Sequence, residues 1–164
     1  MNLDIVMAGY LSEDAACRIY EDNKKLIDSK LPAFMLRQQL ISSTPDVMAA
    51  PDDVVYTLED GFYQSLYKIF DDFGCGFDIF LKKIPIKQIT IEIMNISARD
   101  PYREPTNSAV LILTPHSQKL ISNLNESGCV ANVIGYLTKS KDKKLIIDGR
   151  CQYLNKRYKE RENK

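Results

Sequence analysis

The stretch EDGFYQSLYKIFDDFGCGFDIFLKKIPIKQITIEIM, residues 59–94, decides the fold of this chain. Its first half repeats apolar side chains at spacings of three and four, which gathers them on one stripe of a helix. Gly74 ends that helix, because the residue just past a helix often takes a positive φ, which glycine adopts without strain. The stripe consists of Phe62, Leu66, Ile69, Phe70 and Phe73.

The second half of the stretch changes period. Phe77, Ile79 and Leu81 alternate with Asp78 and Phe80, which is typical of a β-strand. Pro85 then suits the first turn of another helix. Its inward residues are expected to be Ile86, Ile89, Ile93 and Met94. Helix, strand and helix in this order predict a sheet with helices packed against it.

The rest of the chain supplies further strands and helices. Strands are expected at residues 3–10, 54–56, 110–113 and 130–138, with a closing hairpin around Asp148-Gly149. Helices are expected after Ser12, over residues 33–40, from Pro45 to Ala49, and after Thr114-Pro115 until Gly128. Residues 97–108 are expected to form a loop. Because the last strands are joined by a hairpin, we predict a mixed sheet with helices on its faces.

Composition limits the classes of function. Lys and Arg number 22, as do Asp and Glu, so no overall field attracts nucleic acid or an anionic membrane. No apolar run is long enough for a membrane span, and residues 1–4 do not begin a secretory signal. Four scattered cysteines without a C-x-x-C pair favour a reducing cytoplasm over disulfides or a metal site. We expect one domain over residues 1–154 and a charged tail over 155–164.

The junction at Glu59-Asp60-Gly61 is the first candidate site. A helix N-terminus there could hold an anion with its free N–H groups. Glu59 and Asp60 already place negative charge at that position, so a role as partners of the helix dipole is the alternative. Gly74-Cys75-Gly76 is not a phosphate loop, since it follows a helix and precedes a strand.

The loop at residues 97–108 is the second candidate. Arg99 and Arg103 could contact an anionic ligand, although ion pairs with Asp100 and Glu104 would explain them equally well. The single histidine, His116, has no evident partner, and a solvated or capping role is expected for it. No catalytic residue and no metal ligand is assigned.

Six segments, in order, carry a resemblance to a known family. They are Ile5-Val6-Met7-Ala8-Gly9-Tyr10, Glu59-Asp60-Gly61, the run from Gly74-Cys75-Gly76 to Lys83-Ile84-Pro85-Ile86, Asp100-Pro101-Tyr102-Arg103, Leu113-Thr114-Pro115 and Ala131-Asn132-Val133-Ile134-Gly135. In wording and spacing the chain resembles the C-terminal domain of the aminoimidazole ribonucleotide synthetase-related superfamily. The hydrogenase-maturation-factor-like branch is the most similar.

The resemblance implies an α+β domain of three α/β/α layers with a mixed sheet and partial ferredoxin-like similarity. In the family this domain follows an N-terminal domain that dimerises and carries most of the ligands for ATP and magnesium. The family's His-Asp-x-Thr-Glu-Gly-Gly stretch is matched here by VYTLEDG, residues 55–61, so only Glu59 and Gly61 transfer as site residues. We expect no cofactor for this chain alone.

Three functions stay open. The first is a C-terminal-type domain that packs on an ATP-binding partner domain or on itself. The second is half of a composite ATP-dependent enzyme, completed by a separate ATP-binding subunit. The third is a small anion-binding module that uses Arg99, Arg103 and the helix terminus at Glu59.

Overall fold

A computed structural model describes residues 2–37, 40 and 43–154, with only the backbone at Leu36. In chain order the elements are β1 (Asp4–Gly9), α1 (Glu13–Asp22), α2 (Lys24–Lys30), α3 (Ala33–Leu36), β2 (Val54–Leu58), α4 (Phe62–Phe73), β3 (Phe77–Phe80), a 3-10 turn (Leu81–Lys83), α5 (Gln88–Ile96), β4 (Thr106–Thr114), α6 (Ser117–Glu126), β5 (Ala131–Leu137), β6 (Lys143–Ile147) and β7 (Arg150–Tyr153). No helix in these ranges is long and apolar enough to cross a membrane. The predicted charged tail, 155–164, lies outside the described residues.

The strands form one seven-stranded sheet in the order β2-β4-β1-β5-β3-β6-β7. β3 and β6 run parallel, and every other neighbouring pair is antiparallel. The central strand β1 pairs Ile5 with Leu113 on one side and with Gly135 on the other. The predicted mixed sheet and the closing hairpin are therefore confirmed.

Alternate residues of β1 divide the core between the two faces of the sheet. Ile5 and Met7 belong to the main apolar cluster, which includes the helix stripe residues Phe62, Leu66 and Ile69, all fully buried. Val6 and Ala8 belong to a second cluster, on the opposite face, with Leu120 and Leu124 of α6. Helices thus cover both faces, and the α+β fold of three α/β/α layers is confirmed. A third cluster holds α1, α2 and α5 together through Ala16, Ile19, Ile27, Ile89, Ile93 and Met94.

Three apolar residues take other places than the sequence predicts. Phe73, at the end of the α4 stripe, is 36% exposed. Leu81 lies in the 3-10 turn rather than in the strand. The helix expected over residues 33–40 ends at Leu36, and its Phe34 is 64% exposed.

The second predicted helix begins later than Pro85. The N–H of Leu11 donates to the carbonyl of Pro85 at 2.8 Å, so this segment is extended against the turn after β1. The helix α5 begins only at Gln88, and Ile86 precedes it. Proline is favoured at a first helical position, but a tertiary hydrogen bond here determines the conformation.

Other boundaries also differ. The predicted helical turn at residues 45–49 is absent, and the ring of Pro45 lies close against Gly9 instead. β4 begins at Thr106, so the predicted loop of residues 97–108 is shorter. α6 begins at Ser117, because Thr114 Oγ1 accepts a hydrogen bond from the N–H of His116 at 3.0 Å, closing a local turn ahead of the helix.

Candidate functional site

Gly61 occupies the N-cap position of α4 with φ +92°. A Cβ atom at this position would lie 2.6 Å from the carbonyl oxygen of Arg103, closer than real Cβ contacts allow. The backbone of the loop before β4 therefore lies directly against the start of α4, and only glycine leaves room for it. The structure thus brings together two of the four predicted site residues, Gly61 and Arg103, through their backbones.

Aromatic stacking fixes the same loop on the helix. The N–H of Tyr63 donates to the carbonyl of Tyr102 at 3.3 Å, and the two rings stack with centroids 5.8 Å apart. Phe62 packs beside both rings. Burial, with a smaller effect of the nearby Asp100 carboxylate, raises the pKa of the Tyr102 hydroxyl. These contacts make the loop a rigid part of the site.

The charged side chains of the loop pair with one another. Arg99 Nη1 lies 3.3 Å from Glu104 Oε1, and Arg103 Nε lies 3.5 Å from Asp100 Oδ2. These are the ion pairs that the sequence offered as the alternative to an anion site. A ligand-binding role for Arg99 and Arg103 stays a prediction.

Glu59 lies in an exposed turn between β2 and α4. The helix begins at Phe62, so Glu59 and its neighbour Asp60 precede its first turn. Asp60 pairs with Lys68 of α4 at 2.8 Å, and both side chains are more than half exposed. A ligand-binding role for Glu59 and Gly61 also stays a prediction.

A buried polar cluster adjoins this region, and sequence reasoning missed it. Asp14 Oδ1 accepts hydrogen bonds from the hydroxyls of Thr106 at 2.5 Å and Ser108 at 3.1 Å. Its Oδ2 accepts from the N–H of Asn107 at 2.8 Å and lies 3.3 Å from Arg18 Nη1. The segment around Asp14 indicated only a helix start. Thr106 and Ser108 lie in the stretch that the sequence predicts to be a loop, so no local pattern links them to Asp14.

The cluster sets the ionisation of its carboxyl group. Burial alone would raise the pKa of Asp14, but hydrogen bonds from Thr106, from the N–H groups of Asn107 and Ala15, and from Ser108 outweigh it, so the pKa is lowered. Asp14 is therefore held as a carboxylate that joins α1 to β4.

An ion pair lies on the other side of the same turn. Lys87 Nζ is 2.8 Å from Glu13 Oε1, whose side chain is only 4% exposed, and it sits 4.8 Å from the centre of the Tyr10 ring. This pair borders an open cleft of about 860 Å³. The far wall of the cleft is the C-terminal end of α6 with Gly128 and Cys129.

The side chains that could ligate a metal or act as nucleophiles include the single histidine and the four cysteines. Within the described ranges, no group of three or more His, Cys, Asp or Glu side chains is arranged to hold a metal ion. The four cysteines are free thiols, and burial raises the pKa of Cys17 and Cys129. His116 lies 4.0 Å from Asp52 and is largely exposed.

Comparison with known proteins shows which solved structures have a similar fold. No protein-family model and no curated protein matches the chain by sequence. Among solved structures, HypE in a HypE–HypF complex is 14% identical with a TM-score of 0.72, and the match covers 93% of this chain and 52% of that one. HypE of E. coli is 15% identical with a TM-score of 0.71, over 93% and 49% of the two chains.

A thiamine-monophosphate kinase from Stenotrophomonas maltophilia K279a has a lower TM-score, 0.57, at 16% identity, with 92% of this chain and 51% of that one covered. The chain therefore spans about half the length of the solved proteins that it matches. At such identities the similarity establishes the fold and nothing beyond it. The chain has the PurM-like fold, and its structure is similar to the C-terminal half of HypE and of thiamine-monophosphate kinase.

Proposed function

We propose that this chain acts as a C-terminal-type domain that packs on an ATP-binding partner domain in the cytoplasm. The observation that carries the proposal is the coverage: 93% of this chain matches HypE, yet it accounts for only about half of the HypE chain. A HypE structure matched over 50% of its length is a complex with ATP. The four free thiols suit a reducing compartment.

The docking face we infer is the end of the sheet at which Gly61, the stacked Tyr63 and Tyr102, and the loop from Arg99 to Glu104 meet. Three observations support this choice. Backbone contact and ring stacking make the surface rigid, so docking costs little conformational entropy. Aromatic and arginine side chains are enriched at protein interfaces. Arg99 is 53% exposed, which leaves it accessible to a partner.

The composite enzyme is the second candidate function. It uses the same face but adds catalysis, in which this chain completes a site for ATP on the partner. The half-buried loop beside Gly61 favours it, since that loop would lie against a ligand held between the two domains. The two candidates differ only in whether the assembled pair turns over ATP.

Calorimetry tests whether this chain binds a nucleotide by itself, which neither candidate function requires. We expect no tight binding when ATP and Mg²⁺ are titrated into this polypeptide alone, and tight binding would overturn the proposal. The chain is then titrated with an ATP-binding N-terminal-type domain of the same superfamily, expressed as a separate polypeptide from the same source. Binding between the two is expected, and phosphate release by the mixture would favour the composite enzyme.

A pair of variants tests the face itself. Arg99→Ala should weaken the complex about tenfold, a loss of about 1.4 kcal/mol. Lys24→Ala, an exposed change on α2, serves as the matched control and should leave the affinity unchanged. Equal affinities for both variants would show that the partner binds elsewhere.

A further inference from the structure

Both ends of the sheet are open edges. β2 pairs only with β4, and β7 pairs only with β6, among the residues that the structure describes. An edge strand presents unpaired N–H and C=O groups along one side, which can pair with another strand. Proteins commonly protect such edges with charge or proline. The composition of each edge therefore indicates which partner strand it can pair with.

The β2 edge is apolar within the strand and acidic at both ends. The strand reads VVYTL, without charge, proline or glycine. Val54 is 38% exposed and Val55 is 41% exposed. Residues 52–60 contain four acidic side chains and no basic one. Lys68 neutralises part of this charge through Asp60, and His116 lies near Asp52.

The β7 edge has the opposite charge. All four residues of β7 are exposed, including Tyr153 at 58%, and Ile147 of the neighbouring strand is 36% exposed. Residues 139–154 contain five basic and two acidic side chains. One of those acids, Asp148, already pairs with Lys82. Each edge therefore combines exposed apolar side chains with a net charge that the other edge complements.

We propose that two copies of this chain associate head to tail, with β2 of one copy added to β7 of the other so that their sheets become continuous. Pairing of β2 with β2 would bring acidic ends together, and pairing of β7 with β7 would bring basic residues together. Repulsion between like charges disfavours both of these pairings, whereas pairing of β2 with β7 brings opposite charges together. Main-chain hydrogen bonds supply affinity, and the flanking charges select the partner edge.

The contact is heterologous, so each copy keeps one open edge after a dimer has formed. Further copies can add until a ring closes. The average mass should therefore rise with protein concentration. This inference does not depend on the proposed function, because it concerns the chain alone and surfaces outside the loop that holds Arg99.

Charge reversal tests the pairing. Sedimentation velocity of the full chain, from micromolar to millimolar concentration, should show self-association that weakens with added salt, because exposed charges are screened. Asp52→Lys/Glu59→Lys and Lys144→Glu/Arg150→Glu should each associate about tenfold more weakly than the unmodified chain. An equimolar mixture of the two variants should regain association, because the unmodified basic β7 edge of the first variant meets the unmodified acidic β2 edge of the second.

Matched controls carry the same change of charge on exposed helix positions, Glu21→Lys/Asp22→Lys and Lys24→Glu/Lys25→Glu. They should associate as the unmodified chain does. A chain that stays monomeric at the highest concentration, or variants whose mixture regains nothing, would overturn the proposal.

A crosslink gives a second measurement that does not depend on charge. Cys151 lies exposed in β7, and neighbouring positions of β2 face opposite sides of the sheet. With Val54→Cys or Val55→Cys, one of the two should form an intermolecular disulfide with Cys151 of a second copy under a mild oxidant. Lys24→Cys is the control. Crosslinks joining Cys151 to Cys151, or none to β2, would overturn the proposed arrangement.

Discussion

Asp14 and Thr106 stand 92 residues apart in the chain, and their side chains are joined by a hydrogen bond of 2.5 Å from Oγ1 to Oδ1. Both groups are buried. The bond ties the first turn of α1 to the first residue of β4, next to the loop that carries Arg99 and Arg103. The bond therefore anchors the end of that loop at Thr106.

Loss of the hydroxyl should therefore cost stability. Thr106→Val keeps the shape of the side chain but leaves a buried carboxylate with one donor fewer, so we expect the free energy of unfolding to fall by about 1–3 kcal/mol. Urea unfolding followed by circular dichroism measures the change. Thr57→Val, an exposed position on β2, is the control and should stay within about 0.5 kcal/mol. Equal effects at both positions would show that the bond contributes nothing.

The same carboxyl group should make stability depend on pH. The folded state lowers the pKa of Asp14, so its contribution is complete above the ordinary aspartate value of about 3.9 and is lost as pH falls through the lowered value. We expect the free energy of unfolding to decline with acid below about pH 4 more steeply in the unmodified chain than in Asp14→Asn. If the free energy of unfolding depended on pH in the same way in both proteins, the lowered pKa of Asp14 would be contradicted.

Two glycines with positive φ differ both in backbone conformation and in how closely other atoms approach them. Gly61→Ala adds a methyl group 2.6 Å from the Arg103 carbonyl oxygen, whereas Gly74→Ala, at φ +66°, meets nothing within 4 Å. Gly74→Ala should cost about 1 kcal/mol for conformation alone. Gly61→Ala should cost at least about 2 kcal/mol, because its φ and ψ are more strained for alanine and the loop must also move.

Thermal unfolding compares the two glycine variants. The near-ultraviolet signal of the stacked Tyr63 and Tyr102 shows whether the loop has moved in Gly61→Ala. If Gly61→Ala lost no more stability than Gly74→Ala, and its tyrosine signal were unchanged, the close contact with the Arg103 carbonyl would not contribute to the cost.

Local periodicity was sufficient to predict most of the fold. Ile5 and Met7 face one side of the sheet and Val6 the other, as strict alternation requires. Leu66 and Ile69 lie buried on the predicted stripe of α4. The burial of these residues follows from spacings of two to four positions, which can be read directly from the sequence.

The predictions were wrong where contacts between residues far apart in the sequence determine the conformation. The extended backbone at Pro85 follows from its hydrogen bond with Leu11, which is distant in the chain. The candidate site was only partly accessible to sequence reasoning for the same reason. Gly61 could be singled out from its place before a helix, but the contact of Asp14 with Thr106 depends on the pairing of β1 with β4.

Two ion pairs with the same separation provide a test of how burial changes an electrostatic contact. Lys87 and Glu13 lie 2.8 Å apart with side chains 25% and 4% exposed. Lys68 and Asp60 also lie 2.8 Å apart, but their side chains are 52% and 63% exposed. Solvent screens the second pair far more than the first, so only the first should show a strong coupling.

Double-mutant cycles measure both couplings as free energies of unfolding. For Lys87→Met and Glu13→Gln we expect a coupling of about 1–3 kcal/mol, because Lys87→Met alone leaves a buried carboxylate without its ammonium group. For Lys68→Met and Asp60→Asn we expect about 0–1 kcal/mol. Since distance is held constant between the two cycles, equal couplings would mean that the environment of Glu13 screens charge as effectively as that of Asp60 does.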